Sequence, residues 1–501
     1  MKRANQTSSH NVLKHAAIYL VARGLPGIFA FLAIPIFSHL LDPAGYGKYA
    51  LLIATVGVLN ALLFQWLRLA LVRYLPAFKS EPQKLKATLL TTQWIIIAVA
   101  ALAALAVSLV PHGPSPSFVM ACWGMLAIQA PYELVCEYSR AQIQPWRYMG
   151  LQVVRSFVAT GLGMVLILLG FGWWGPVGGL ALGMLLPTIY AYRTDWADTI
   201  LKIDREALRS VARYGLPLSL TVALAIVIGS SDRFLIAAFL GERAAGLYSV
   251  AVDFTAQTLL MLMMVIYLAM FPLAVRAWEE RGPEAAREEM RHNGSLLLAV
   301  GLPAAVGMCI LAPGFSNCFL GRDFRSAAAA IIPLVAIGGF LSGLKACHFD
   351  MAFQFVHRTM LQVWIVLVAA VTNIILNLFF IRRFGIQGSA VASLLAYVLS
   401  IALTISFGRR YFALPIPWRA TLQVSAGCAA MALLLIPWRG RVGALAVTAQ
   451  LASATLLYAV VLVGLNFLNL RTAVLKKLAR RPAPLVGSFE VLEVTALAET
   501  I

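Results

Sequence analysis

Long apolar runs broken by short polar segments dominate the chain. Windows of about 20 apolar residues, enough to cross a hydrocarbon core of roughly 30 Å, predict about fourteen spans. They centre near Phe29, Leu59, Val99, Leu126, Met164, Leu182, Ile228, Met261, Val306, Ile337, Ala370, Leu395, Ala430 and Tyr458. An even number puts both termini on one side. Two of the polar breaks are paired in sequence. Leu41-Asp-Pro-Ala-Gly-Tyr-Gly-Lys-Tyr-Ala50 is echoed about 200 residues later by Leu240-Gly-Glu-Arg-Ala-Ala-Gly-Leu-Tyr-Ser249, each joining two apolar runs. Gly175-Pro-Val-Gly-Gly-Leu-Ala-Leu-Gly183 opens the sixth span, and Gly385-Ile-Gln-Gly-Ser-Ala-Val-Ala-Ser393 opens the twelfth about 210 residues on. Matched pairs at matched offsets indicate a doubled six-span unit, and the small residues let helices approach closely.

The expected fold is all-α: a polytopic membrane helix bundle of about fourteen transmembrane helices, in two pseudo-repeated six-helix lobes plus two C-terminal helices. The divisions fall at 1–192 for the N-lobe, 193–213 for a connector and 214–408 for the C-lobe, followed by 409–468 for the last two helices and 469–501 for a tail. In the connector, Ile200, Leu201, Ile203, Leu208 and Val211 alternate with Asp204, Arg205, Glu206 and Arg209, the pattern of an amphipathic helix at a membrane interface. Trp278 to Asn293 is densely charged with both signs and reads as a helical extension into water. Doubled bundles of this kind move solutes through the seam between their halves.

Composition agrees, with 61% hydrophobic and 12% charged residues. A net charge of +19 could signal nucleic-acid binding, but the distribution argues otherwise. Of the 40 Lys and Arg, roughly 27 fall in alternate loops and at the two ends, about 8 opposite and about 5 within spans. That bias places the rich side, and both termini, in the cytoplasm, with no nucleic-acid partner. The first span is too long for a signal-peptide core and is expected to remain as helix 1. Six scattered cysteines without CxxC spacing imply neither a disulfide framework nor a metal site. No HExxH, P-loop or nucleophile–base pattern appears, so neither an enzyme nor a cofactor is expected.

Tyr214-Gly-Leu-Pro-Leu, Asp232-Arg-Phe-Leu-Ile236 and Leu240-Gly241 to Gly246-Leu-Tyr-Ser-Val-Ala251 closely resemble the Wzx-type polysaccharide-export flippases of the multidrug/oligosaccharidyl-lipid/polysaccharide transporter superfamily. Leu41 to Ala50 with Arg73-Tyr-Leu-Pro76, Leu320-Gly-Arg-Asp-Phe324 and Gly385 to Ser393 extend the likeness over nearly the whole chain. The resemblance implies a bacterial inner-membrane transporter that flips an undecaprenyl-pyrophosphate-linked oligosaccharide from the cytoplasmic to the periplasmic leaflet by alternating access. Partners would be this lipid-linked oligosaccharide, membrane lipids and the polysaccharide polymerase or export machinery. Proton and sodium coupling both remain open. The competing functions are a drug or cation antiporter of the same superfamily, expected to depend on intramembrane carboxylates, and a membrane glycan polymerase or ligase, expected to carry a large periplasmic catalytic loop.

A charged side chain within a span costs about 2.5–3.5 kcal/mol or more on insertion scales, so each should be paired or face a wet cavity. Arg23, Arg68, Arg155 and Lys345 fall in the cytoplasmic half and could ring one depth as receptors for a pyrophosphate. Three have a structural rival: Arg68 and Lys345 could snorkel to headgroups, and Arg155 could pair with Glu137. Arg23 stands out because Gly24, Pro26 and Gly27 loosen its helix. Asp232, Arg233 and Asp253 come to one level near the second hairpin, as a local salt bridge, a periplasmic gate or a coupling site. Asp350 and His348 are expected to reach cytoplasmic water. Tyr46, Tyr49, Tyr248, Trp173, Trp174 and Trp438 read as interfacial belt anchors.

Overall fold

The structure, a computed structural model, describes residues 26–472 other than 79, 80, 112, 357 and 470. The described chain is helical almost throughout and contains no strand. The N-terminal half comprises α1 (Pro26–Leu40), α2 (Pro43–Tyr74), α3 (Pro82–Ser108), α4 (Pro116–Ala141), α5 (Pro145–Phe171) and α6 (Trp174–Trp196). The second half comprises α7 (205–240), α8 (242–281), α9 (Pro283–Ile310), α10 (Arg322–Phe355), α11 (359–384) and α12 (386–411), followed by α13 (Trp418–Leu435) and α14 (Ala444–Gly464). A two-turn helix, Ala312–Phe319, lies between α9 and α10.

Eleven of the described segments are long and apolar enough to cross a bilayer, two of them 53 and 52 residues in length. Those two are hairpins that reverse at Gly241 (φ 85) and Gly385 (φ 61), where a side chain would be strained. Reversal is required by side-chain geometry: Tyr248 bonds Asp232, and Asn373 bonds Ser393. In one straight helix residues so far apart in sequence would be separated by about 24 Å or more at 1.5 Å per residue. With each hairpin taken as two helices and the shorter α1 added, fourteen helices result among the described residues. Every expected span centre lies in one of them, and the fold is the all-α polytopic bundle that the hydropathy pattern predicts.

Local chemistry explains the first hairpin. Asp42 precedes α2 in an extended conformation, its carboxylate accepting the Gly45 N–H at 3.2 Å, and Pro43 occupies the first helical position, where its missing donor costs nothing. Each half also contains a glycine-lined helix pair. A Cβ added at Gly179 would lie 2.5 Å from the Gly163 nitrogen, and one at Gly183 would lie 2.6 Å from the Arg155 carbonyl oxygen, so α6 rides directly on the backbone of α5. In the second half, a Cβ at Gly388 would lie 2.1 Å from the Phe380 carbonyl oxygen.

The connector differs from expectation. It is not one amphipathic helix: α6 runs on to Trp196, residues 199–204 are irregular, and α7 starts only at Arg205. Asp204 caps α7, accepting the Ala207 N–H at 2.8 Å, and Lys84 bridges to it at 3.2 Å. The Ala207 N–H first, and then Lys84, hold the Asp204 carboxyl below its ordinary pKa. This cap is therefore fully present above the ordinary carboxylate range and is lost as pH falls through the lowered value. The charged stretch expected to project into water is the α8–α9 hairpin, turning at Gly282 (φ 85) and tied by Arg281 to Glu289 at 3.1 Å.

The two copies of the polar hairpin meet. A Cβ on Gly47 would lie 2.0 Å from the Glu242 carbonyl oxygen, and one on Gly246 would lie 1.9 Å from that of Pro43. Gly47 aligns with Gly246, and Pro43 with Glu242, so the contact is reciprocal, as a two-fold relation between halves requires. Lys48 and Glu242 add an ion pair at 3.5 Å. Beside them, the Gly321 N–H donates to the Ser38 hydroxyl at 3.2 Å. At the basic end, α2 also touches α7: a Cβ on Gly215 would lie 2.3 Å from the Trp66 carbonyl oxygen, and Tyr74 packs edge-on against Tyr214. One buried apolar cluster spans α2–α6 and is joined by Val211 of α7, and another runs from α1 and the start of α2 across the seam into α7–α12.

Because backbone meets backbone at Gly246, Gly246→Ala should destabilise this arrangement by about 1–3 kcal/mol through overpacking. Gly124→Ala, where no atom lies within 4 Å of the added Cβ, should be neutral or slightly stabilising. Thermal unfolding of the two purified variants in detergent checks the contrast, and equal melting temperatures would contradict the contact.

Candidate functional site

Between the halves lies a cavity of about 380 Å³, walled by α1, α2, α5, α6 and α8. Arg155 is its one lining cation among the described residues and Asp253 its one lining carboxylate. The close fit of α6 on α5 pins the helix at the Arg155 carbonyl itself. The Arg155 guanidinium lies 5.6 Å from the centre of the Tyr132 ring, and its buried Nε has no hydrogen-bond partner among the described residues. Tyr49 lines the same cavity from α2. An arginine held over an aromatic face with a free donor suits a planar anionic oxygen cluster.

Asp253 carries the opposite wall. It pairs with Arg233 of α7 and accepts the Tyr46 hydroxyl of α2 at 3.3 Å, so the bond from Tyr46 crosses the seam. Asp232, adjacent to Arg233 in sequence, takes no part. Successive helical residues point about 100° apart, and Asp232 faces a separate small pocket among α7, α8, α10 and α12. There it accepts from Tyr248 at 2.8 Å, from Asn377 at 2.9 Å and from Ser393, with Asn373 bonded to Ser393 behind them. The expected single cluster of Asp232, Arg233 and Asp253 is thus two sites, an ion pair within the second half that Tyr46 joins across the seam, and a half-buried carboxylate with neutral donors.

The expected ring of four cations does not form at one wall. Arg23 lies outside the described residues. Arg68 is buried between α2 and α4, paired with Glu133 and bonded to Gln65 and Asn60, while Asn60 and Gln129 also donate to Glu133 at 2.8 and 2.7 Å. It does not snorkel, because Glu133 neutralises it within the lobe. Lys345 is buried against Asp350 at 2.8 Å, and Gln362 completes that carboxylate at 3.1 Å. Asp350 and His348, expected in water, are only 4% and 1% exposed. Arg155 does not take Glu137 in the expected way: Glu137 has Arg140 at 2.7 Å one turn on. Of the six expected belt aromatics, Tyr46 and Tyr248 are buried as hydroxyl donors to Asp253 and Asp232, whereas Trp173 and Trp174 stack on each other with centroids 4.4 Å apart.

Glu133, Asn373 and Asn377 were not singled out from sequence, Tyr46 was read only as a belt anchor, and Ser393 only as the end of a repeat. Asn373 and Asn377 carried a usable signal, being two amides four residues apart in an apolar span, hence on one helix face. Tyr46 and Glu133 carried none, since their roles depend on how separate helices are rotated.

The profile of the polysaccharide biosynthesis protein family matches residues 36–329. The chain belongs to that family. Over 204 residues it is 22% identical to an uncharacterized membrane protein of Methanocaldococcus jannaschii, covering 41% of this chain and 40% of that one. Over 286 residues it is 22% identical to the probable low-salt glycan biosynthesis flippase Agl15 of Haloferax volcanii, covering 56% and 58% of the two chains. The chain thus spans about half the length of these curated relatives. In fold it is similar to the lipid II flippase MurJ in an inward closed conformation, with a TM-score of 0.72 and 13% identity over 93% of this chain and 100% of that one. An inward-facing multidrug resistance MATE family transporter of the MOP superfamily matches with a TM-score of 0.54 and 14% identity, over 81% and 98%. The bundle therefore shares the fold of MurJ and of this MATE family protein, a multi-pass membrane helix bundle.

Breaking the buried Arg68–Glu133 pair by Arg68→Ala leaves a carboxylate uncompensated and should cost about 3–5 kcal/mol. The double substitution Arg68→Leu with Glu133→Leu should regain most of it. Unfolding of the purified variants measures both, and an Arg68→Ala protein as stable as wild type would remove Arg68 from this structural role.

Proposed function

We propose that this protein flips an undecaprenyl-pyrophosphate-linked oligosaccharide repeat unit from the cytoplasmic to the periplasmic leaflet of a bacterial inner membrane. Surface or secreted polysaccharide assembly would use the product, with a polymerase or export machinery as the downstream partner. The observation that carries this reading is the seam cavity whose cation, Arg155, has a buried nitrogen unpartnered among the described residues, opposite a carboxylate already neutralised by Arg233. Such a cavity has spare positive charge and favours an anion. A drug or cation antiporter would need the reverse, a carboxylate free to meet the cation.

In this reading the bundle alternates between two closures of the lobes at 1–192 and 214–408, with the basic end in the cytoplasm, where both termini lie. The hairpin contact at Gly47 and Gly246, with the Tyr46–Asp253–Arg233 chain beneath it, is the shut periplasmic gate. Arg155, joined by Arg23, receives the pyrophosphate from the cytoplasmic side, while Arg68 and Lys345 serve the lobes that carry it. Charge brought to Arg155 alters the field on Asp253 across the cavity and so weakens the Tyr46 bond that holds the gate. Asp232, surrounded by neutral donors inside the second lobe, is the coupling site for a proton or sodium ion. Relatedness to the glycan biosynthesis flippase of Haloferax volcanii supports a lipid-linked glycan as the cargo.

Flipping of labelled lipid-linked oligosaccharide in proteoliposomes tests this directly. Arg155→Ala should lower the rate by about 10- to 100-fold, the worth of a charge-assisted hydrogen bond of roughly 1.5–3 kcal/mol, and Arg23→Ala should also lower it. Wild-type rates in both stably inserted variants would remove the site, and no flipping by wild type of any tested glycan would remove the function. Topology has its own check. Reporter fusions after Trp173 and Ala285 should lie on opposite sides of the membrane, periplasmic and cytoplasmic respectively, and both on one side would contradict the arrangement.

A further inference from the structure

At the basic end of the bundle, the start of α9 and the adjoining ends of α13 and α14 enclose a second cavity of about 380 Å³, remote from the seam. Arg291 and Arg419 line it, and no acidic residue is among its lining groups. Arg419 is exposed at the second position of α13 and has no carboxylate partner among the described residues, while Arg291 shares only a water-facing pair with Glu288 at 2.7 Å. An exposed pair of that kind is worth roughly 0–1 kcal/mol, so an incoming anion can compete for it. The first turn of α13 contains no acidic residue, and the Arg419 and Ala420 amides have no carbonyl within the helix to bond.

The other wall is built to hold this shape. After α14 the chain turns through left-handed Asn466, Leu468 and Asn469, at φ 54, 44 and 62. The Gln423 side chain anchors the turn by donating to the Leu465 carbonyl at 2.7 Å, and the Asn466 side chain accepts the Arg471 N–H at 3.2 Å. Phe467 is buried beneath, giving the cavity an apolar floor. Trp418, 66% exposed at the rim, has the amphipathic ring that settles at headgroup level, so the cavity sits where lipid phosphates lie.

We infer that this cavity is a binding site for the phosphate of an anionic phospholipid headgroup. Arg291 and Arg419 supply the charge, the first amides of α13 the directed donors, and Phe467 and Trp418 the apolar contacts for the glycerol and first chain carbons. The shared chemistry is a phosphate monoanion, and a lipid is favoured over free phosphate by the apolar floor and the exposed indole. The inference does not rest on the transported cargo, because no residue of this cavity lines the seam.

The test titrates the purified full chain in neutral detergent with phosphatidylglycerol, phosphatidylcholine or inorganic phosphate, counting bound lipid by native mass spectrometry. Phosphatidylglycerol should be retained in preference to phosphatidylcholine. Arg291→Gln with Arg419→Gln should weaken that retention about 25-fold, about fivefold for each cation near a membrane surface. Displacement by millimolar inorganic phosphate would support the anion site and identify free phosphate as a competing source. If the double variant does not purify as a single species, Arg419→Gln alone, at an exposed position, is read the same way with about a fivefold loss. Equal retention of the two lipids, or unchanged phosphatidylglycerol retention in either variant, would overturn the inference.

Discussion

A backbone-to-backbone contact between the two copies of one hairpin joins the halves of the bundle. Gly47 and Gly246 bring main chain from opposite halves closer than any Cβ would permit. That approach sets the distance between α2 and α8, and therefore which side chains can reach across. Tyr46 reaches Asp253 only because these helices start from a common point of contact one residue away at Gly47. The cavity is what remains beneath the contact, where α1, α5 and α6 diverge from α8.

Electrostatics follow from the same geometry. Ionisable groups inside a bilayer protein must be matched or wet, and most here are matched within one lobe: Arg68 by Glu133, Lys345 by Asp350 and Arg233 by Asp253. Each pair makes its lobe stiffer and leaves it with no net charge from that pair. Arg155 differs, since it has no carboxylate partner within 4 Å among the described residues and lies between an aromatic ring and the open cavity. A rigid-body motion that separates the hairpins would leave the intralobe pairs intact and break the Tyr46–Asp253 bond and the Lys48–Glu242 pair. The division between bonds within lobes and bonds between them is what gives the bundle two alternative closures in the proposed cycle.

Much of this architecture was legible in the sequence. Span positions follow from hydropathy over about 20 residues, a local property, which is why all fourteen centres fall inside helices. The repeats pointed to the hairpins because glycine is retained where their backbones touch, at Gly47 with Gly246. Side-chain pairing was not legible. Depth along a helix can be counted from a loop, but the partner also depends on rotation about the axis and on which helices adjoin. Counting depth therefore proposed Glu137 for Arg155, whereas Glu137 meets Arg140 on its own helix and the neighbouring acid, Glu133, meets Arg68. The amphipathic connector misled for a similar reason: its periodicity favoured a helix, but Asp204 caps α7 and Lys84 holds it there, leaving residues 199–204 outside any helix.

In the proposed cycle the hairpin contact must open for transport, and a reversible lock across it is the decisive measurement. Lys48→Cys and Glu242→Cys, placed on the ion pair that spans the contact, would be introduced with the six native cysteines replaced by serine, and the protein reconstituted for flipping of lipid-linked oligosaccharide. Oxidised protein should stay folded and cease flipping, and reduction should restore the rate. Flipping at the unlocked rate by fully cross-linked protein would contradict the claim.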